Sequence, residues 1–124
     1  MISGIGQDII EVERVARKIG KEKGFREMVF SKNEIAYCES KPNKYEHYAA
    51  RFAAKEAFFK AIGTGWKNGT AFNEVEVFHQ DHGQPGLALL GTTAQTLSSI
   101  NTRKIFLSIS HLREMASAVV VIEE

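Results

Sequence analysis

Two acidic residues that lie far apart in the sequence could together hold a divalent cation. Asp8 interrupts an apolar segment between Gly6 and Ile9, where an acid either faces solvent or is held by a cation. Glu56 lies in a segment rich in alanine and phenylalanine, and a buried glutamate is rare unless it has a partner. Mg²⁺ takes one or two carboxylates and completes its octahedron with water and substrate phosphates. The two acids therefore satisfy what a Mg²⁺ site beside a phosphate-bearing substrate requires, but residue types alone equally allow each to be an ordinary structural or surface charge.

An ordinary surface ion pair is the alternative interpretation of Glu56. This residue precedes Lys60 by four positions, which is the favourable orientation for a pair on an exposed helix face. Against this, Phe52, Phe58 and Phe59 make the same segment apolar nearly all round, which indicates a buried helix. The spacing alone leaves both interpretations open.

Small and polar residues at the ends of predicted elements are further candidates for ligand contact. Gly63-Thr64-Gly65 follows a predicted helix, so it cannot offer a helix N-terminus to an anion as a P-loop does. It is either a C-terminal helix cap or a place where the backbone closely approaches a ligand. Ser110 and His111 close a predicted buried strand, which puts a hydroxyl and an imidazole side by side.

Hydrophobic periodicity predicts the elements that must position these residues. The strongest helix runs from about Tyr45 to Ile62, and its alanines at every fourth position allow another backbone to pack closely. Apolar spacing predicts a second helix from Val12 to Gly20. Ser31-Lys32-Asn33-Glu34 has the spacing of a capping box and begins a third, which runs towards Ser40.

Alternating segments predict the strands. They cover residues 2–12, 74–78, 87–90, 104–110 and 116–122, with a further helix over 92–100 and a turn-rich loop over 81–86. The segment 25–30 has no clear period. The order of elements predicts an α+β fold in which helices pack on a largely antiparallel sheet.

Size and composition restrict the class of protein. The 124 residues suit a single domain spanning 1–124, and 44% hydrophobic with 25% charged residues is ordinary for a globular chain. The N-terminal residues lack the features of a signal peptide, and no segment is long enough to span a bilayer. Cys38 is the sole cysteine, which excludes an internal disulfide and a cysteine-based zinc site. We therefore predict a cytoplasmic protein that does not contact membranes.

A basic segment lies between Arg14 and Arg26, where six lysines or arginines face one acid, Glu22. It is either a solvated helix face or a docking surface for an acidic partner. Aromatic residues are not interleaved with the cations as a stacking surface requires, so nucleic acid is not the predicted partner. A non-catalytic module that binds an acidic protein is the alternative to an enzyme.

Several motifs occur in a specific order along the chain. They are Gly4-Ile5-Gly6-Gln7-Asp8-Ile9, Phe30-Ser31-Lys32-Asn33-Glu34, Arg51-Phe52-Ala53-Ala54-Lys55-Glu56-Ala57 with Lys60 and Gly63-Thr64-Gly65, Gly83-Gln84-Pro85, and Ser108-Ile109-Ser110-His111. In this order the chain resembles the holo-acyl-carrier-protein synthase family, the short-chain 4′-phosphopantetheinyl transferases. Each motif is weak alone, whereas the ordered set is specific.

The resemblance implies an activity in fatty acid biosynthesis. Such enzymes transfer the phosphopantetheine arm of coenzyme A to a serine of an acyl carrier protein and release adenosine 3′,5′-bisphosphate. By resemblance, Asp8 and Glu56 bind Mg²⁺, while Lys60 and Lys55 stabilise charge on the leaving phosphate. Glu56 and Lys60 are then the catalytic residues. Either Glu56 or a Mg²⁺-bound water accepts the serine proton.

The resemblance also implies binding surfaces and an assembly. The residues implied to contact coenzyme A are Arg51, Lys55, Lys60, Gly63, Thr64, Gly65, Gly83, Gln84, Pro85, Ser110 and His111. Carrier protein is expected to dock on Arg14, Lys18, Lys21 and Phe25, and the assembly is expected to be a homotrimer with active sites between subunits.

The chain departs from the family pattern at four positions. Ile10 replaces a third metal-binding acid found in longer relatives, so water is expected at that coordination position. Met28 and Gln84 stand where basic residues are common, and Met115 where an aromatic is common.

Overall fold

Helices and antiparallel strands alternate along the chain in a computed structural model, which describes residues 1–65 and 67–124. The strands are β1 (Ile2–Glu11), β2 (Val75–His79), β3 (Pro85–Leu89), β4 (Lys104–His111) and β5 (Met115–Glu123). The helices are α1 (Val12–Lys21), α2 (Phe25–Val29), α3 (Lys32–Glu39), α4 (Lys44–Ile62), α5 (Gly91–Thr96) and α6 (Ser98–Asn101), with a 3₁₀ turn over Phe72–Glu74.

The strands form two antiparallel sheets. The larger has the order β1-β5-β4, with Asp8 opposite Ala118 and His111 opposite Ala116, and the smaller is the β2-β3 hairpin. On β5, alternate residues from Ala116 to Ile122 are buried against the helices. The predicted α+β fold and its antiparallel strands are confirmed.

Helix α4 is the central element, and its alanines decide how closely it packs. A Cβ added at Gly4 or Gly6 of β1 would collide with the main-chain carbonyl oxygens of Ala61 and Ala57. Strand and helix backbones therefore lie in direct contact, which only glycine on one side and alanine on the other permit. The close packing predicted from the alanine spacing is confirmed, and it brings Asp8, two residues after Gly6, to the helix surface.

The start of α3 is confirmed as a capping box. The Ser31 hydroxyl accepts a hydrogen bond from the Glu34 amide, and the Glu34 carboxylate accepts one from the Ser31 amide. The segment 25–30, for which the sequence predicted no secondary structure, contains the short helix α2.

The helix predicted over 92–100 is wrong as one unit, because it breaks at Leu97. That residue leaves the helical region with φ −106° and ψ 37°, and its side chain is buried. Thr92, Thr93 and Thr96 are β-branched and weaken a helix. Thr93 also makes hydrogen bonds outside the helix, because its hydroxyl donates to Glu74 at 2.7 Å.

No helix in the described part of the chain is long and apolar enough to cross a membrane.

Candidate active site

Asp8 lies on β1 with its side chain 17% exposed, facing the C-terminal half of α4. Lys60 of α4 donates from Nζ to Asp8 Oδ1 and to the Gln7 carbonyl oxygen, both at 3.0 Å. The Lys60 side chain is 55% exposed, so its ammonium can also reach a ligand in solvent. Lys60 therefore forms its ion pair with Asp8 across the strand-helix contact, in place of the surface pair with Glu56 that the spacing favoured.

Glu56 and Asp8 line one cavity of about 290 Å³. The other lining residues are Ile9, Ile10, Arg14, Lys18 and Phe52. Burial raises the pKa of Glu56, and the nearby negative charge of Asp8 raises it further. Glu56 accepts no hydrogen bond from any described residue, so its carboxylate is available to a ligand.

This donor set fits a hard divalent cation that keeps part of its water shell. Two carboxylates converge on one cavity, and the charge of Asp8 disfavours the ionised form of Glu56, which a cation would relieve. Within residues 1–65 and 67–124, no three acidic, histidine or cysteine side chains cluster closely enough to cage an ion. Mg²⁺ requires no such cage, since water and phosphate oxygens complete its coordination.

Three of the predicted carrier-docking residues gather beside the two carboxylates. Arg14 and Lys18 of α1 line the same cavity. Phe25 is buried and packs edge-on against Phe52, with ring centroids 6.2 Å apart, so it supports the cavity wall more than it offers an open surface. Lys21 is exposed at the end of α1 and does not line that cavity.

The predicted nucleotide contacts Arg51 and His111 form a second group. Arg51 is 3% exposed, and its guanidinium carbon lies 4.2 Å from the Tyr37 ring centroid. Its Nε is buried without a hydrogen-bond partner among the described residues, which leaves a donor for an anion. His111 Nδ1 lies 2.9 Å from Glu46 Oε1, and its ring contacts that of His47.

Sequence reasoning missed the aromatic residues around Arg51. Tyr37 stacks on His79 with ring centroids 5.2 Å apart, and both line a cavity of about 260 Å³ with Arg51. Burial, followed by the charge of Arg51, lowers the pKa of His47 and of His79, so both imidazoles are neutral at pH 7. Nothing in their sequence spacing indicates this cluster, because its members come from three separate segments.

The remaining predicted contacts lie at exposed turns and strand ends. Gly63 ends α4 in the left-handed region with φ 79°, as a C-terminal cap does, and Thr64 and Gly65 follow it in solvent. Gly83, Gln84 and Pro85 lie at the β2-β3 turn, and Ser110 is exposed on β4 beside His111. Of these, none lines the cavity of Asp8 and Glu56.

Lys55 does not lie where the sequence placed it. Its side chain is fully buried, and its ammonium donates to Glu34 Oε1 at 2.8 Å, to the Phe72 carbonyl at 2.9 Å and to the Val75 carbonyl. An ammonium has three protons, so no donor remains for a phosphate. The geometry therefore does not support the predicted contact between Lys55 and coenzyme A.

Comparison with known families identifies the class of protein. Residues 4–118 match the 4′-phosphopantetheinyl transferase superfamily. The chain belongs to this superfamily and is a phosphopantetheinyl transferase, as the ordered motifs predicted.

The similar proteins share one name within that superfamily. A holo-[acyl-carrier-protein] synthase of Cytophaga hutchinsonii is 46% identical over 126 residues, covering 98% of this chain and 97% of that protein. The crystal structure of the synthase from Neisseria meningitidis superposes with a TM-score of 0.89 at 30% identity and covers 100% of both chains. The synthase from Bacillus anthracis, solved in complex with CoA (3′,5′-ADP), gives a TM-score of 0.81 at 38% identity, covering 99% of this chain and 97% of that one.

Proposed function

We propose that this chain transfers the 4′-phosphopantetheine arm of coenzyme A to a serine hydroxyl of an apo acyl carrier protein, in fatty acid biosynthesis. The observation that carries the proposal is the convergence of Asp8 and Glu56 on one cavity that Arg14 and Lys18 also line. Two carboxylates suit a cation on a diphosphate, and the basic residues suit an acidic protein partner. The names of the similar proteins support both substrates.

Asp8 and Glu56 are the residues that would hold Mg²⁺. When bound there, the ion supplies charge neutralisation on the diphosphate of coenzyme A. Lys60 holds its ammonium beside Asp8, and its exposed side chain lets the ammonium turn to a phosphate oxygen of the bound substrate.

The transfer makes one bond and breaks one. The serine oxygen bonds to the phosphorus that carries the pantetheine arm, and the bond from that phosphorus to the bridging oxygen breaks. Adenosine 3′,5′-bisphosphate leaves with the bridging oxygen, whose charge Lys60 stabilises. The serine proton passes to Glu56 or to a water molecule.

The nucleotide half of coenzyme A is assigned to Arg51 and His111. Arg51 Nε has no hydrogen-bond partner among the described residues and can donate to a phosphate oxygen, and the Tyr37 ring holds the guanidinium in place. His111 contacts the ring of His47, whose carbonyl oxygen accepts from Arg51, and is oriented by Glu46. Contacts from Gly63–Gly65, from Ser110 and from the turn at Gly83–Pro85 belong to the same proposal and rest on the resemblance.

The diphosphate site at Glu56 and the nucleotide site at Arg51 lie apart in one protomer, which a homotrimer with shared active sites explains. Arg51 and Glu56 are five residues apart on α4, which turns their side chains about 140° from one another. The cavities around them share no lining residue among those the structure describes. The outer face of the larger sheet exposes Ile5, Ile9 and Phe106, which suits burial against another copy. A cytoplasmic location is proposed on the sequence alone.

One experiment tests the activity. The protein is incubated with apo acyl carrier protein, coenzyme A and Mg²⁺, and the intact mass of the carrier is measured. We expect a gain of one phosphopantetheine arm, which a chelator abolishes. An unmodified carrier from several sources would overturn the proposal. Binding of carrier without Mg²⁺ and without product would favour the non-catalytic module instead.

A further inference from the structure

A buried ion pair joins three segments around α4. Lys55 and Glu34 are both 0% exposed, with 2.8 Å between Nζ and Oε1. The Lys55 ammonium also holds the carbonyls of Phe72 and Val75, while Glu34 Oε2 accepts from the Val77 amide at 2.8 Å. The pair therefore bonds to segment 72–77 at three points, and all of these bonds cross between elements.

The start of α3 extends this network. The Ser31 amide donates to Glu34 Oε1, and the Ser31 hydroxyl donates to Glu76 Oε2 at 2.6 Å. Glu34 is therefore held by the N-terminus of its own helix while it holds β2. The network ties α3, α4 and the segment 72–77 into one unit.

Segment 72–77 builds a wall on each side of α4. Phe72 packs against Phe52 and Phe59 and lines an apolar cavity of about 550 Å³ that Glu56 also lines. Glu76 and Val77 line the cavity of Arg51, and β2 carries His79 to its place on Tyr37. Moving this segment would displace groups next to both halves of the substrate site.

We propose that Lys55 and Glu34 are positioning residues, which fix segment 72–77 so that coenzyme A meets preformed walls beside Glu56 and Arg51. This rests on the proposed function, since it assigns coenzyme A to those cavities. Both side chains are fully buried, so the proposed role runs through segment 72–77. Among the described residues, Arg14 and Lys18 of the carrier-docking face make no bond to the network, so we expect carrier binding to depend on it less than coenzyme A binding does.

A double variant separates positioning from stability. Lys55→Met alone leaves the buried Glu34 charge unpaired, so its melting temperature falls sharply. Adding Glu34→Gln removes that charge and keeps the side-chain shape, so part of the melting temperature returns; the glutamine NH₂ cannot accept from one of the two amides, of Ser31 and Val77, that the carboxylate holds. The bonds to the Phe72 and Val75 carbonyls stay lost in both variants. We therefore expect the double variant to keep a KM for coenzyme A raised about tenfold, because displaced contact groups bind poorly. Its KM for carrier protein stays at the wild-type value.

The outcomes distinguish this inference from the proposed function. A double variant with recovered melting temperature and wild-type KM for coenzyme A would show that the pair is only structural. Equal rises in both KM values would contradict it too. A wild-type protein that modifies no carrier overturns the proposed function instead.

A second measurement needs no variant. Amide hydrogen exchange in the wild-type protein should protect Val77 as strongly as the centre of α4, since a clamped segment opens only when the whole domain unfolds. Exchange at Val77 about a hundredfold faster than in α4 would show local opening and overturn the preformed wall. This result stands whether or not the carrier is modified.

Discussion

At the scale of single residues, Glu56 is central to the proposed cation site. Its carboxylate shares a cavity with Asp8 and has no hydrogen-bond partner in the described chain. Burial, followed by the negative charge of Asp8, raises the pKa of Glu56. A cation bound between the two carboxylates would favour their ionised forms. The free protein is therefore expected to bind Mg²⁺ weakly, and to bind it better once the substrate diphosphate adds ligands.

Glu56→Gln should lose turnover and keep the fold. The amide matches the carboxylate in shape but removes the charge that holds the cation, so we expect kcat to fall about a hundredfold or more. Initial rates of carrier modification measure this, with circular dichroism as the check on folding. Glu13→Gln is the matched control, because Glu13 is exposed on α1 and pairs only with Arg17 among the described residues. Near-normal rates for Glu56→Gln would remove Glu56 from the site.

Cys38 should be unreactive in the folded protein. Its thiol is fully buried, and burial raises its pKa to about 12, against the opposing charge of Arg51. The reactive form is the thiolate, which is therefore scarce at neutral pH. We expect iodoacetamide to leave the native protein unmodified and to alkylate it once in denaturant, as measured by intact mass. Rapid alkylation of native protein would mean that the site opens locally.

At the scale of elements, the contact between β1 and α4 sets the geometry of the cavity that Asp8 and Glu56 line. Asp8 and Glu56 come from different elements, and the close approach at Gly4 and Gly6 brings the strand against the helix. The packing of two backbones therefore has a direct functional consequence.

Gly6→Ala should destabilise the fold and weaken the site together. The added methyl meets the Ala57 carbonyl, which belongs to a rigid helix, so we expect a loss of about 1–3 kcal/mol in the free energy of unfolding. Urea denaturation measures this. Gly20→Ala is the control, since no atom lies within 4 Å of a methyl added there, and alanine should stabilise α1 by about 0.5–1 kcal/mol. Equal effects at both positions would contradict the close packing.

At the scale of the whole molecule, the outer sheet face and the basic helix have separate roles. Ile5 is 67% exposed on that face, which is unusual for a large apolar residue in a strand. Arg14 is exposed on α1 and lines the cavity of Asp8 and Glu56. One surface is proposed for self-assembly and the other for the carrier.

Ile5→Lys should dissociate the assembly. A charge on each copy opposes burial of the face, so the wild type should sediment as a trimer and the variant as a monomer. Activity should fall with it, because the cavities of Arg51 and Glu56 then no longer meet. Met28→Lys is the control for sedimentation alone, since Met28 is similarly exposed but lies on α2, where it lines the apolar cavity beside Glu56. A monomeric, fully active wild type would refute the shared active site.

Arg14→Glu should weaken the binding of carrier protein more than the binding of coenzyme A. Reversing a charge beside the cavity repels an acidic protein, so the KM for carrier rises while that for coenzyme A changes little. The effect should shrink as salt is added. Lys32→Glu makes the same change of charge on α3 and serves as the control. Similar rises in both KM values would move carrier docking elsewhere.

The sequence alone determined the features that depend on local spacing. The capping box at Ser31 and the alanine spacing of α4 each required only neighbouring residues, and both are present. The ordered motifs predicted the family and, through it, the pairing of Asp8 with Glu56. That pairing spans 48 positions, and no periodicity within either segment could supply it.

Only the tertiary structure decided which partners the charged residues of α4 have. The four-residue spacing favoured an ion pair between Lys60 and Glu56. In the folded protein, β1 packs against α4, and Lys60 forms its ion pair with Asp8 instead. Lys55 was expected at the substrate, but a neighbouring position on a helix points about 100° away, and here that direction is the core. Helix α4 is packed on nearly all sides, so each of its lysines has a different environment. Hydrophobic periodicity cannot show which lysine is exposed to solvent and which is buried.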